Sequence, residues 1–115
     1  MQMKRLEATI QTDKVAAVSE AIKDIVGGFT ILDGDGRGSG KRHKIRSGRG
    51  TGTIEAEYNK VSKISTLVDD SKVETVLSAI ADAAFTGSSG DGIVTIEDIS
   101  DVYNIASKKR GNEAL

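Results

Sequence analysis

Seven glycines, Gly34, Gly36, Gly38, Gly40, Gly48, Gly50 and Gly52, fall within the nineteen residues 34–52. Six of the sixteen basic residues, Arg37, Lys41, Arg42, Lys44, Arg46 and Arg49, lie among them, and no acid stands between Asp35 and Glu55. Glycine lets backbone N–H groups close around an anion, and Arg37 and Lys41 would add charge-assisted bonds to phosphate oxygens. The segment therefore has the composition of a phosphate cradle. It fits neither common phosphate motif: no window reads G-x-G-x-x-G or G-x-x-x-x-G-K-[ST], since Asp35 stands five residues before Gly40 and Arg42 follows Lys41. A solvated loop would have the same composition, but loops of more than about twelve residues usually carry function. A second cluster, Thr86-Gly87-Ser88-Ser89-Gly90-Asp91-Gly92, reads by itself as a turn whose glycines permit positive φ.

Other chemistries are excluded by count. The 115 residues contain no cysteine, which removes disulfides, zinc–thiolate sites, iron–sulfur clusters and a thiol nucleophile. His43 is the only histidine, sits between Arg42 and Lys44, and reads as an exposed loop residue. It cannot build a multi-histidine metal centre. Asp69 with Asp70 and Glu55 with Glu57 are paired carboxylates, but the first pair opens a helix, where acids favour the dipole, and the second edges the loop. The expectation is a protein without catalytic residues, bound metal or prosthetic group. No apolar run approaches a membrane span, and Met1 to Arg5 lack the apolar stretch of a signal peptide, so a cytoplasmic location is expected.

The elements that must position these clusters follow from periodicity, and the length suits one domain spanning 1–115. Residues Met3 to Gln11 alternate, with Leu6, Ala8 and Ile10 on one side, as a half-buried strand does. Val15, Val18, Ile22 and Ile25 then form a helical stripe, capped by Thr12 or Asp13 and ended by Gly27 and Gly28. Phe29 to Leu32 reads as a second strand and Thr53 to Thr66 as a third, with untidy alternation near Ser62 to Ser65. The second helix, Asp69 to Ala84, is opened by a capping box of Ser71 with Glu74 and striped by Val73, Val76, Leu77, Ile80 and Ala84. Ile93 to Ile96 is a fourth strand, Ser100 to Ala106 adds one helical turn and a short strand, and the polar tail, 107–115, is expected to be mobile. The order β-α-β, long loop, β-α-β predicts an α+β, ferredoxin-like βαββαβ domain. Two helices cover one face of such a sheet, so its other face predicts self-association.

Thr86-Gly87-x-x-Gly90-Asp91-Gly92 before a strand, after a helix opened by Asp69-Asp70, resembles the signature of PII signal-transduction proteins. Met3-Lys4-Arg5-Leu6-Glu7-Ala8 and Gly28-Phe29-Thr30 resemble that family's first two strands. Gly34-x-Gly36-Arg37 falls where the family's long T-loop begins, about residue 35, and Lys60-Val61 lies where the chain returns to the sheet after about residue 56. The resemblance implies a homotrimer with an adenine nucleotide (ADP, AMP or ATP) in clefts between subunits. It also implies a T-loop that engages a target in nitrogen or carbon metabolism or transport, either a metabolic enzyme or a membrane transporter. By position, Gly36 and Arg37 would lie by the phosphates, Gly87, Gly90, Asp91 and Gly92 on the B-loop side, Thr30 near the base, and Lys60 at 2-oxoglutarate. Lys41, Arg42, Lys44, Arg46 and Arg49 would face the partner.

Departures from the family pattern are equally specific. Gly38 stands where the family has a glutamine that helps hold magnesium and 2-oxoglutarate. Ile93, Asn104 and Ala106 stand where it has a lysine and two arginines that grip phosphates. A hydrogen bond to a charged group contributes about 1.5–3 kcal/mol, so three absent cations imply a triphosphate affinity lower by orders of magnitude. Replacements could come from Lys41, Arg42 or Lys44 in the loop, or Lys108, Lys109 and Arg110 in the tail. The loop contains no tyrosine, so uridylylation is not expected, and Ser47 and Thr51 read as ordinary loop hydroxyls. An alternative reading is nucleic-acid binding by Gly36-Arg37-Gly38 and Gly48-Arg49-Gly50, against which residues 33–57 offer no aromatic for base stacking.

Overall fold

The computed structural model describes residues 2–38, 44–46, 53–55 and 57–115. β1 (Met3–Gln11) leads through a single 3-10 turn, Thr12–Lys14, into α1 (Val15–Ile22). β2 (Thr30–Gly36) precedes a two-stranded hairpin, β3 (Lys44–Arg46) with β4 (Thr53–Glu55). β5 (Asn59–Asp69) then enters α2 (Val73–Ala84) through a second 3-10 turn, Asp70–Lys72, and β6 (Gly92–Ile99) completes the sheet. The strand order is β2-β5-β1-β6, with every neighbour antiparallel. This is the α+β ferredoxin-like arrangement expected from the element order.

The alternation in β1 directs Leu6, Ala8 and Ile10 toward the helices, where they meet Ile64 and Val68 of β5, Val18 and Ile22 of α1, and the stripe Val73, Val76, Ile80 and Ala84 of α2. Burying each branched aliphatic side chain contributes about 1.5–3 kcal/mol, so this layer holds both helices to one face. The opposite face is open. Across it run an ion pair of Arg5 with Glu97 at 3.4 Å and one of Lys63 with Glu7 at 3.5 Å. Leu32 and Ile93, at the two edges, are each 66% exposed.

Several boundaries differ from expectation, each for a local reason. The third strand is two strands, β4 and β5, separated by a bend at Glu57 and Tyr58. The alternation of β5 is untidy because two of its helix-facing residues are polar: Ser62 donates to Asp33 at 2.6 Å and lies 2.9 Å from the Thr12 hydroxyl, while Thr66 donates to the Gly28 carbonyl at 2.6 Å. Bonded in this way, both hydroxyls can be buried without leaving a polar group unpaired. The Thr12 side chain is thereby used, and neither Thr12 nor Asp13 caps α1. That helix stops at Ile22 rather than at Gly27 and Gly28, neither of which has positive φ, and Ile25 and Val26 pack from the turn that follows. The cap of the second helical segment is Asp69, which accepts from the Ser71 amide at 2.9 Å, in place of the Ser71–Glu74 box.

β2 runs on to Gly36 because each residue through that glycine finds a partner on β5, ending in Gly36 opposite Asn59. β6 likewise spans Gly92–Ile99 rather than Ile93 to Ile96. Residues Ser100 to Ala106 form neither a helix nor a strand, only an isolated bridge between Tyr103 and Arg110. The tail folds back rather than hanging free. Arg110 pairs with Asp101 at 2.5 Å, Asn112 donates to Asp69 at 2.5 Å, and Ala114 is buried.

One backbone approach is decisive. Gly92 has φ +112°, and a Cβ there would stand 2.0 Å from the carbonyl oxygen of Thr9. Gly92→Ala therefore forces β6 away from β1 at the strand's first residue. Urea unfolding should show a loss of about 2 kcal/mol or more, since left-handed strain alone costs about 1–3 kcal/mol. A change below about 0.5 kcal/mol would contradict the close approach.

Candidate functional site

The ends of β1 and β2 and the starts of β5 and β6 surround a groove of about 310 Å³. Gly36, Arg37 and Gly38 form one rim, Ser89, Gly90 and Gly92 the other, and Gln11 lies between. Gly36 is close-packed: a Cβ would approach Val61 Cγ2 at 3.0 Å. The exposed Arg37 is the one cation lining the groove among the described residues and makes no ion pair there.

The glycine turn between α2 and β6 is preformed. Asp91 accepts from the amides of Thr86 and Gly87 at 2.7 and 2.9 Å and from the Thr86 hydroxyl. Ser88 Oγ accepts from the Gly90 amide at 3.2 Å, and Gly87 takes φ +87°. These bonds, led by that from the Thr86 side chain, hold the Asp91 carboxyl below its ordinary value. Asp91 thus occupies the backbone donors that a bound anion would otherwise use.

Of the residues predicted for the nucleotide, the groove brings together Gly36, Arg37, Gly90 and Gly92. Asp91 and Gly87 form the clasp of the turn behind it. Thr30 lies at the other end of β2, in a separate depression of about 720 Å³ lined also by Phe29, Leu67, Tyr103 and Ile105. Lys60 is outside the groove lining and bonds Asp35 at 2.8 Å, which raises its pKa. Lys41, Arg42, His43, Ser47, Arg49 and Thr51, with the side chains of Lys44 and Arg46, lie outside the described residues. Among those described, no cluster of His, Cys, Asp and Glu could hold a metal ion. No described helix is long and apolar enough to cross a membrane.

The departures have structural counterparts. Ile93 presents an apolar side chain to the groove. Asn104 organises a turn, its Oδ1 accepting from the Ala106 and Ser107 amides at 3.0 Å each and its Nδ2 donating to the Ala114 carbonyl at 3.1 Å. Arg110 is committed to Asp101. Gln11 is the groove residue that sequence reasoning missed: it donates from Nε2 to the Gly90 carbonyl at 2.7 Å. Its signal was a polar residue closing a strand beside a glycine cluster.

The depressed Asp91 pKa sets a pH dependence. A carboxylate with a lowered folded pKa stabilises the turn above its ordinary value of 3.8, and that contribution is lost as pH falls through the lower folded value. Asp91→Asn should reduce amide protection at Thr86 and Gly87 several-fold at pH 7. The wild-type turn should lose that protection only below pH 3.8, as followed by hydrogen exchange. Equal protection in both proteins at pH 7 would contradict the clasp.

The chain matches the family model "Nitrogen regulatory protein P-II" over residues 3–109. It is 33% identical to the nitrogen regulatory protein P-II of Azospirillum brasilense, across 98% of this chain and all of that one. It is 32% identical to nitrogen regulatory protein GlnK2 of Haloferax mediterranei, across 98% and 91% of the two chains. Among solved structures, Arabidopsis thaliana PII bound to citrate superimposes with a TM-score of 0.79 at 25% identity, covering 99% of this chain and 92% of that one. The GlnK–ATP complex of B. subtilis gives 0.77 at 25% identity, covering 99% and 98%. Matched by the family model over residues 3–109 and by these relatives along nearly its whole length, the chain belongs to the nitrogen regulatory protein P-II family.

Proposed function

We propose that this protein is a signal-transducing regulator in which three copies assemble through the open sheet faces. A nucleotide or related small effector binds in the clefts between copies, and the basic loop acts on a target protein. The observation that carries this reading is the meeting of the loop base, Gly36 to Gly38, with the preformed turn, Gly90 to Gly92, in one groove containing Arg37. A phosphate bound there would lie at the root of the loop, so its presence or absence would bias loop conformation. In a single chain Thr30 lines a different depression. A cleft between neighbouring subunits would bring it to a nucleotide held by the next copy's groove.

The effector is proposed to be other than magnesium–ATP with 2-oxoglutarate. Gly38 has no side chain to ligate the metal or the dicarboxylate, so the residues present do not fit that pair. The wall supplied by Ile93 is apolar, and Asn104 is spent on its own turn. With one cation lining the groove among the described residues, a mono- or diphosphate is better matched than a triphosphate. The five cations Lys41 to Arg49 are assigned to an acidic surface on the target, an enzyme or the cytosolic face of a transporter. The nucleic-acid alternative gains no support from the relatives described above.

Isothermal titration with ATP, ADP, AMP and cyclic nucleotides, each with and without magnesium and 2-oxoglutarate, tests the reading. The expected result is binding of ADP or a smaller nucleotide that 2-oxoglutarate does not enhance. Micromolar ATP binding that requires magnesium and rises cooperatively with 2-oxoglutarate would overturn the altered-effector reading.

A further inference from the structure

Gln11 ends β1 and occupies the cap position of the following 3-10 turn, yet its side chain caps nothing there. It crosses instead to the turn between α2 and β6, where Nε2 donates to the Gly90 carbonyl at 2.7 Å. This bond joins segments 79 residues apart in sequence. Oε1 of the same amide is buried without a hydrogen-bond partner among the described residues. The other buried side-chain atom in that condition, Asn112 Oδ1, belongs to the C-terminal tail. A buried acceptor without a donor is unfavourable, and folded proteins keep few of them. This one belongs to a residue that lines the groove already described, together with its one described cation, Arg37.

We infer that Gln11 couples the glycine turn to the occupant of the groove: Nε2 holds the turn in place, and Oε1 accepts a hydrogen bond from the bound ligand. The inference rests on the groove being the effector site and deepens that reading by defining the ligand's chemistry. The molecule carries an anionic group for Arg37 and, at a distance from it, an N–H or O–H donor for Gln11. A nucleoside phosphate has both, the donor coming from a ribose hydroxyl or a base amino group. A dicarboxylate ionised at neutral pH has acceptors only and would set an oxygen against Oε1. Gln11 is therefore a positioning residue toward the turn and a specificity determinant toward the ligand.

Gln11→Met keeps the length of the side chain and removes both polar groups; Gln11→Asn keeps both groups but shortens their reach, and serves if the first variant folds poorly. Without ligand, hydrogen exchange at Gly90 to Gly92 should quicken in either variant while the core of β1 and β5 is unchanged. Unchanged exchange in the turn would overturn the positioning role. With ligand, ADP affinity by titration should fall about tenfold, as loss of one hydrogen bond to a ligand predicts, while pyrophosphate, which engages Arg37 without a nucleoside donor, should change by less than about threefold. Equal losses for ADP and pyrophosphate, or no loss for either, would overturn the specificity role. A wild-type protein that binds neither ADP nor pyrophosphate would overturn the nucleotide reading and the specificity role together. The exchange measurement would still decide the positioning role.

Discussion

The antiparallel register of β1 between β5 and β6 is the constraint from which the candidate site follows. Ile10 stands opposite Gly92, Gln11 opposite Val61, and Gly36 opposite Asn59. These pairings bring the exit of β2 and the entrance of β6 to one end of the sheet, although more than fifty residues separate them in the chain. A slip of one residue would turn Leu6, Ala8 and Ile10 out of the core, so burial of those side chains holds the register. The Thr9 carbonyl adds a steric lock, admitting only a glycine at position 92. The site is thus a consequence of core packing, with its two rims carried on rigid strand ends.

The second consequence of the fold is a sheet covered on one face only. Its open face carries opposed charges within the chain, Arg5 with Glu97 and Lys63 with Glu7, and apolar residues at both edges. Internal pairing lets such a face meet a copy of itself without placing unmatched charges in contact, which is a requirement of a symmetric interface. Assembly would also join the two kinds of depression, one holding Arg37 and the other Thr30. The effector would then report on, and depend on, the contact between subunits.

Much of this was legible in the sequence, and the failures share a cause. Strict alternation in β1 and the stripe Val73, Val76, Ile80 and Ala84 revealed the elements that build the core. The family resemblance was carried by short glycine motifs, and in this chain the backbone does take φ +87° at Gly87 and +112° at Gly92. What the pattern did not convey were polar side chains that hold tertiary structure. Ser62 and Thr66 blurred the central strand because their partners, Asp33 and the Gly28 carbonyl, are distant in sequence. Asn112 and Arg110 looked like parts of a mobile tail, whereas each is bonded. Asp91 looked like a ligand residue, and its bonds to the Thr86 and Gly87 amides, which no local pattern announced, hold its own turn together. Local periodicity reports where apolar surface goes; it is silent on which polar groups meet across the fold.

Arg37 and the glycine turn are held to converge on one phosphate-bearing effector between subunits, and a crystal structure of the protein with ADP tests that claim most directly. The account predicts a trimer with the diphosphate between Gly36 to Gly38 and Gly90 to Gly92, Arg37 on a phosphate oxygen, and Thr30 of the neighbouring copy near the nucleoside. ADP bound away from that groove, or a monomer whose groove excludes it, would contradict the account.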